Sequence, residues 1–324
     1  MRYEQVPLPA AEGGVAPAGI AAAVTRWSTS TPLRDLVESF GGRIPRASGT
    51  GAVLAYLDDF SAQHWDYRRG RERIDADEPV LAADLVRRVT AATAALGLCD
   101  RRPPRRRRYT HLLMLGAVAP ACLQRVHYAG HLISAGTTAA GVVTGLGSYR
   151  RLHEAERAAL APLGLHGCAY EVDVLTAAVR DAFALGEPDK VVEELHTGPD
   201  LNRSWSSRWW HGPGPEVRVL ASASSAPGAR RASTLDTLRH WAREVALTLY
   251  DRVLIVTSGI YVPYQHCDAV RILALSSGCA VETVGLDPAA VPRTLPAVAY
   301  TPGNHLQELR STICSMRRLY EAVT

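Results

Sequence analysis

The chain has 324 residues, a formal net charge of +4 and 47% hydrophobic residues, which is typical of a globular protein with one or two domains. No run of about 18 apolar residues occurs, and Pro and Gly interrupt the N-terminus where a signal peptide has a continuous apolar core. We therefore expect a cytoplasmic protein without a membrane segment. The six cysteines form no Cys-x-x-Cys pairs, so neither a metal site nor a disulfide framework is expected.

The first hundred residues have a helical pattern. Thr31-Pro32 is typical of a helix start, and a stripe of apolar residues at helical spacing runs from Leu81 to Leu96. The segment DRRPPRRRRY, residues 100–109, combines paired prolines with like charges and indicates a linker. These features predict a helical N-terminal region over residues 1–105, packed as a layer on an α/β domain over residues 106–324.

From Tyr109 onward, short apolar runs alternate with amphipathic helices, the pattern of βαβ units around a doubly wound, mostly parallel sheet. The predicted strands are His111 to Leu115, Gly141 to Thr144, Gly167 to Tyr170, Val217 to Ala221, Val253 to Thr257 and Ala280 to Val284. The predicted helices lie between them, at Cys122 to Ser134, Arg151 to Leu160, Asp173 to Leu185, Arg231 to Leu249 and Gln265 to Ser276, with a last helix after residue 304.

The segments that follow four of these strands are rich in Gly, Ser and Thr. In such a sheet, ligands bind beyond the carboxyl ends of the strands, where small residues allow close approach and helix N-termini offer N–H donors. We therefore expect the loops after the first, second, fourth and fifth strands to share a phosphate or nucleotide pocket. The predicted ligand-binding residues are Gly116, Arg125, Thr144, Gly145, Gly147, Ser222, Ser224, Thr257, Ser258 and Gln265.

The same segments resemble the SanA/YdcF/ElyC-like domain family. The resemblance rests on a strand followed by Leu-Gly and an Arg-bearing helix, a second strand ending in TGLGSYRRLHEAE, and a late strand ending in Val-Thr-Ser, over about residues 109–285. It implies a Rossmann-like fold. The matching positions are Gly116, Arg125, Gly145, Glu154, Thr257, Ser258 and Arg271, which adds Arg271 to the ligand-binding set.

Three residues are candidates for acid–base chemistry. Glu154 lies one turn into a predicted helix, where it serves either as a base or as a carboxylate that compensates the helix dipole. His266 opens the helix after the Tyr-Pro-Tyr loop and is either a proton shuttle or a capping residue. Tyr261 stands where the similar family has a histidine.

Residues 200–215, DLNRSWSSRWWHGPGP, interleave Trp205, Trp209 and Trp210 with arginines. Indole and guanidinium groups in a loop bounded by Gly and Pro suit a lid that stacks on a base, and the alternative is a loop held down by its own aromatic residues.

The leading functional hypothesis is an enzyme that binds a nucleotide- or phosphate-bearing substrate or cofactor and catalyses a transfer or condensation reaction without a metal. The cofactor is unknown, and a nucleotide or S-adenosylmethionine would fit. One alternative is an aminoacyl-tRNA-dependent enzyme that forms peptide bonds, as cyclodipeptide synthases do. In that case Arg101 and Arg105 to Arg108 contact the RNA backbone. A third reading is a non-catalytic ligand- or RNA-binding module.

Overall fold

The structure is a computed structural model that describes residues 3–14, 16–45, 48–70, 78–136 and 139–324. It is an α/β protein built on one mixed sheet of seven strands. Among the described residues, no helix is both long and apolar enough to cross a membrane.

The sheet is parallel apart from one strand. Its order is β3-β4-β5-β2-β1-β6-β7, and only β4 runs against its neighbours. The strands are β1 (Arg108–Leu115), β2 (Ala139–Gly147), β3 (Lys190–Glu194), β4 (Trp205–Trp210), β5 (Glu216–Ala221), β6 (Arg252–Thr257) and β7 (Ala280–Gly285).

Helices cover both faces of the sheet. The α-helices are α1 (Pro17–Ser28), α2 (Thr31–Ser39), α3 (Thr50–His64), α4 (Ala83–Thr93), α5 (Ala119–Ser134), α6 (Glu154–Leu160), α7 (Glu171–Ala182), α8 (Thr234–Val245), α9 (Val262–Ala269), α10 (Leu275–Ser277) and α11 (Pro302–Glu321). A π-helical turn, Val270–Ala274, joins α9 to α10. Buried residues of α5 and α7 pack on one face, and those of α8, α9 and α11 pack on the other.

The sheet contains a topological switch point between β1 and β6. From β1 the chain moves to β2 and β5 on one side, and then returns to β6 and β7 on the other side. The helix after β1 and the helix after β6 therefore lie on opposite faces, which opens a crevice beyond the carboxyl ends of these two strands. Ligands of doubly wound sheets bind in such crevices. The doubly wound, Rossmann-like layout predicted from the sequence is confirmed.

The N-terminal helices pack as a layer over the face that also carries α9 and α11. Trp27 and Leu57 belong to the same buried cluster as Ile255 of β6 and Ile313 of α11. The apolar stripes of these helices thus find partners on the sheet and on α11, which is why they need no separate core.

The arginine-rich segment runs along the edge strand β7. A Cβ atom on Gly285, at the carboxyl end of β7, would meet the carbonyl of Asp100. Further along, the backbone N–H of Arg105 donates to Glu282 at 2.8 Å, and the Tyr109 hydroxyl donates to the same carboxylate at 2.6 Å. The segment therefore runs from the carboxyl ends of the parallel strands to their amino ends.

Two expectations about strands are wrong. Residues 167–170 form no strand; Tyr170 makes a single bridge to Arg151 and then starts α7. The tryptophan-rich segment is not a loop, because Trp205, Trp209 and Trp210 lie in β4, which pairs antiparallel with β5. Its neighbour β3 was not predicted at all.

Candidate functional site

A cavity of about 360 Å³ lies at the switch point. It is lined by the segments that follow β1, β2 and β6 and by the segment between β5 and α8, which are the four loops predicted to share a pocket. Its volume is within the range of small-molecule sites. Of the predicted ligand-binding residues, the cavity lining contains Gly116, Arg125, Gly147 and Gln265, together with Tyr261.

Arg125 of α5 spans the switch point. It is fully buried; Nη1 donates to the carbonyl oxygens of Leu115 at 2.7 Å and Gly116 at 2.9 Å, while Nε and Nη2 donate to Ser258 Oγ at 3.2 and 3.1 Å. The ring of Tyr261 lies 5.3 Å from the guanidinium carbon. Four of the five N–H groups of Arg125 thus donate to acceptors at the carboxyl ends of β1 and β6.

All of these acceptors are neutral. Within the described part of the chain, no carboxylate forms an ion pair with Arg125. A buried guanidinium is normally accompanied by an anion, because desolvation of an uncompensated charge is expensive. The cavity beside Arg125 is therefore lined by a buried guanidinium that has no described carboxylate as its partner.

Glu171 is a carboxylate of the cavity that the sequence analysis missed. It is the first residue of α7 and is 6% exposed, and its Oε2 accepts a hydrogen bond of 2.7 Å from Ser148. A Cβ atom on Gly116 would lie 2.6 Å from Glu171 Oε1, so this oxygen lies next to the backbone that follows β1. No described residue donates a hydrogen bond to Oε1. Glu171 can therefore accept a proton or a hydrogen bond from a ligand.

A second carboxylate, Glu156, holds the loops together. It forms a bidentate ion pair with Arg150, at 2.7 and 2.8 Å, and accepts backbone N–H groups from Ala119 and His153. Burial raises the pKa of Glu156, but the hydrogen bonds from Arg150 and these N–H groups outweigh burial and hold the pKa below its ordinary value. The pair remains ionised and connects the exits of β1 and β2.

Cys122 lies under the same loops, in an environment that disfavours a reactive thiolate. Burial, followed by the charge of Glu171, raises its pKa to about 12. Its sulfur already exchanges hydrogen bonds with the backbone of Ala117 at 3.1 and 3.2 Å. Burial and these hydrogen bonds therefore favour the protonated thiol over the thiolate.

Behind Tyr261, a chain of hydrogen bonds fixes the start of α9. Thr257 Oγ1 donates to Gln265 Oε1 at 2.5 Å, and Gln265 Nε2 donates to the Tyr264 hydroxyl at 3.0 Å. Gln265 and Tyr264 line the cavity, whereas Thr257 and Ser258 lie behind its wall. The two hydroxyl residues hold other side chains of the site in place and do not form its surface.

The other predicted ligand-binding residues lie away from the cavity. Thr144 and Gly145 are inside β2, paired with β1 and β5, because the strand continues to Gly147, beyond its predicted end. Ser222 donates its N–H to Gly147, and Ser224 belongs to a turn that contacts Asn202. Arg271 lies in the π-helical turn and pairs with Asp268 at 3.4 Å.

Glu154 does not reach the cavity. It is exposed at the first position of α6, while Glu156, two residues further, turns inward. His153 caps this helix and Glu156 is at the third position, where its side chain returns to the cap N–H. The carboxylates that line the cavity are those of Glu156, Glu171 and Glu308, and Glu154 is not among them.

His266 has a structural environment. It is buried; Nε2 donates to the carbonyl oxygen of Pro9 at 2.7 Å, so Nδ1 accepts from Thr283 Oγ1 at 3.1 Å. Burial lowers the pKa of His266 below its ordinary value, and the nearby Arg105 lowers it further. The imidazole connects the N-terminal segment to β7, and it is not in the cavity lining.

This environment predicts acid sensitivity. Because the folded-state pKa of His266 is below the unfolded value of 6.5, the unfolded chain binds more protons. The stability is therefore complete above pH 6.5 and decreases as pH falls below it. Burial also lowers the pKa values of His111, His127 and His240, so they add to the effect. Urea unfolding across this range should show a shallower loss for His266→Gln than for the wild type; equal slopes would contradict the assignment.

The tryptophans do not form a lid. Trp210 is buried and donates to the carbonyl oxygen of Gly186 at 3.1 Å, Trp205 donates to Glu194 at 3.1 Å, and Trp209 lies beside Lys190 and Arg218. None of the three lines the cavity, since β4 is separated from the switch point by β5, β2 and β1.

The site defines a Rossmann-like α/β protein with a cationic cavity at its switch point. Residues 11–97 match the Rv3785 N-terminal domain family. Uncharacterized protein Rv3785 of Mycobacterium tuberculosis H37Rv and uncharacterized protein Mb3814 of Mycobacterium bovis are each 31% identical to the chain over 341 residues, covering 98% of it and 94% of their own length. The chain belongs to the Rv3785 family. No solved structure matches it.

These comparisons correct the resemblance drawn from the sequence. The chain matches the Rv3785 family and not the SanA/YdcF/ElyC-like family. The short motifs that suggested the latter, Leu-Gly before an Arg-bearing helix and Val-Thr-Ser at a strand exit, are turn and cap chemistry that other doubly wound sheets also use.

Proposed function

We propose that the protein is an enzyme that binds a phosphate-bearing small molecule, such as a nucleotide, at the switch point and catalyses a transfer or condensation reaction. The observation that carries the proposal is Arg125, a fully buried guanidinium whose hydrogen-bond partners are all neutral, in the wall of a cavity. An anionic ligand would compensate this charge in a site of low dielectric constant.

The charge balance of the cavity supports an anion. Five arginines and three glutamates line it. Glu156 is paired with Arg150, and Glu308 is paired with Arg68, which the N-terminal region contributes. Arg125 and Arg151 form no ion pair with a described carboxylate, and Glu171 is the one other glutamate of the lining. Phosphate groups are among the anions that arginine side chains and helix N-termini bind in proteins.

Glu171 supplies the acid–base function. With the phosphate held near Arg125, a hydroxyl or amine of the second reactant would attack the atom that bears this phosphate and donate its proton to Glu171 Oε1. The bond from that atom to the phosphate oxygen would break, and the phosphate would leave as an anion beside Arg125. The Ser148 hydroxyl fixes the carboxylate by its other oxygen. The protein would then act by positioning two reactants and by stabilising negative charge, without a covalent intermediate.

The tRNA-dependent alternative involves a different surface. Arg101 and Arg105 to Arg108 are exposed, but the chain runs along β7, and Arg108 begins β1 at the amino edge of the sheet. At about 3.3 Å per residue, the length of β1 separates Arg108 from the cavity by roughly 23 Å. An RNA bound to Arg105 to Arg108 would have to span this length to present an aminoacyl end, whereas Arg101 follows Asp100 at the carboxyl edge of the sheet.

The test is ligand-induced thermal stabilisation by inorganic pyrophosphate and by adenine and guanine nucleotides. A ligand that binds the folded state at 100 times its dissociation constant stabilises it by about 2.7 kcal/mol. We expect a shift for the wild type and none for Arg125→Gln. The matched control is Arg218→Gln, which removes another buried arginine, paired with Glu244 and outside the cavity.

Both variants should be less stable than the wild type without ligand. Circular dichroism must therefore first show that each variant is folded, and the quantity compared is the thermal shift that the ligand causes. Equal shifts for the wild type and Arg125→Gln would refute the anion site. No shift by any of these anions in the wild type would refute the phosphate-bearing ligand.

A further inference from the structure

The strand β3 is an exposed edge strand that has no part in the cavity. It is the last strand of the sheet, so one of its edges has no neighbour among the described residues, and all five of its residues are exposed. Val191 and Val192 are 45% and 38% exposed, and Leu195, just after the strand, is 55% exposed. An edge strand with exposed apolar residues is a template for pairing with another strand.

We propose that β3 pairs antiparallel with β3 of a second copy of this chain, about a two-fold axis at Val192. The sequence of the strand, Lys-Val-Val-Glu-Glu, is complementary to itself in this register. Lys190 of each copy lies opposite Glu194 of the other, and the two Val192 residues face each other. Opposite charges at directly facing positions stabilise antiparallel pairs.

Neighbouring symmetric registers are unfavourable. With the axis at Val191, Asp189 of one copy would lie opposite Glu193 of the other. With the axis at Glu193, the two Glu193 carboxylates would face each other. Like charges at facing positions are destabilising, so electrostatics selects the register centred on Val192.

The proposal also accounts for the half-exposed tryptophans of β4. Trp209 pairs with Lys190 and Trp205 with Glu194, so both indoles are on the face of the sheet that carries Val192. Two copies would bring two Val192 side chains between two pairs of indoles. Aromatic residues of this kind are enriched in interfaces.

The pairing is short, so the dimer should be weak. Five residues per copy bury less than the 1,200 Å² or more typical of stable interfaces. We therefore expect a dimer whose population rises with protein concentration in sedimentation velocity, and a continuous sheet of fourteen strands.

Lys190 is the only lysine of the chain, which allows a direct test by carbodiimide cross-linking. The reagent joins an amine to a carboxylate in contact with it. Within one copy, Lys190 and Glu194 are four residues apart on a strand, about 13 Å, and cannot be joined. A covalent dimer with a Lys190–Glu194 peptide should form in the wild type. Lys190→Arg keeps the charge, so it should sediment as a dimer and yield no such peptide.

Charge reversal tests the register. Lys190→Glu should weaken association at least several-fold, because two carboxylates then face each other at both ends. The double variant Lys190→Glu with Glu194→Lys should restore it. A wild type that stays monomeric over the whole concentration range overturns the proposal, and so does a dimer that Lys190→Glu leaves unchanged.

Discussion

Glu171→Gln should abolish turnover while tightening the binding of phosphate. The amide has the shape of the carboxylate and can still accept from Ser148, but it cannot take a proton at neutral pH. Loss of a general base typically reduces a rate by 10² to 10⁴-fold. Removing a negative charge from a cavity that binds an anion should raise the affinity for pyrophosphate several-fold, which calorimetry would measure.

A variant that binds the substrate more tightly but does not convert it can be used to identify the substrate. A small-molecule extract incubated with the wild type should lose the substrate, whereas Glu171→Gln should retain it bound, and mass analysis would identify it. Glu154→Gln is the matched control, because it neutralises an exposed carboxylate of α6 outside the cavity. Loss of turnover in Glu154→Gln but not in Glu171→Gln would return the base to the residue predicted from the sequence.

The part of the fold that the sequence predicted is the part buried on both faces. The strands β1, β5, β6 and β7 contain short β-branched or leucine-rich runs, which is typical of strands buried on two faces. The few buried polar residues in them, such as Arg218 and Glu282, do not obscure this pattern. The strands β3 and β4 were missed because one is wholly exposed and the other mixes serine and arginine with tryptophan, so neither has the apolar signature.

The location of the cavity was predictable, but the chemistry of its residues was not. The loops meet because parallel strands place their carboxyl ends at one edge, which strand order alone determines. Which carboxylate turns inward depends on where a helix begins. Asp173 Oδ2 accepts the backbone N–H of Tyr170 at 2.9 Å, which caps the start of α7 and places Glu171 at the first helical position. The assignment of a weak strand to residues 167–170 concealed it.

The role of His266 could not be predicted from local patterns. Its partner Pro9 is 257 residues away in the sequence, and the contact exists only because the N-terminal segment crosses β7. The imidazole has a capping-like position in the sequence, but tertiary packing uses both of its nitrogens.

Gly285→Ala should lower the free energy of unfolding, because a side chain at this position would clash with backbone atoms. The new Cβ would lie well inside contact distance of the Asp100 carbonyl oxygen, 2.8 Å from the Cα of Gly259 and 3.1 Å from the carbonyl carbon of Asp100. These atoms are all backbone, so no side-chain rotation can relieve the contact, and the segment at Asp100 has to move away from the carboxyl end of β7. Overpacking of this kind costs about 1–3 kcal/mol.

Gly228→Ala is the matched control for this prediction, since nothing lies within 4 Å of a Cβ atom there and the backbone is not left-handed. Denaturant unfolding should show a lower midpoint for Gly285→Ala and little change for Gly228→Ala. Because the displaced segment carries Arg101 and Arg105, native Gly285→Ala should also be cut there faster by trypsin. An unchanged midpoint together with unchanged cleavage would mean that the connection between the N-terminal helices and the sheet does not depend on close packing at Gly285.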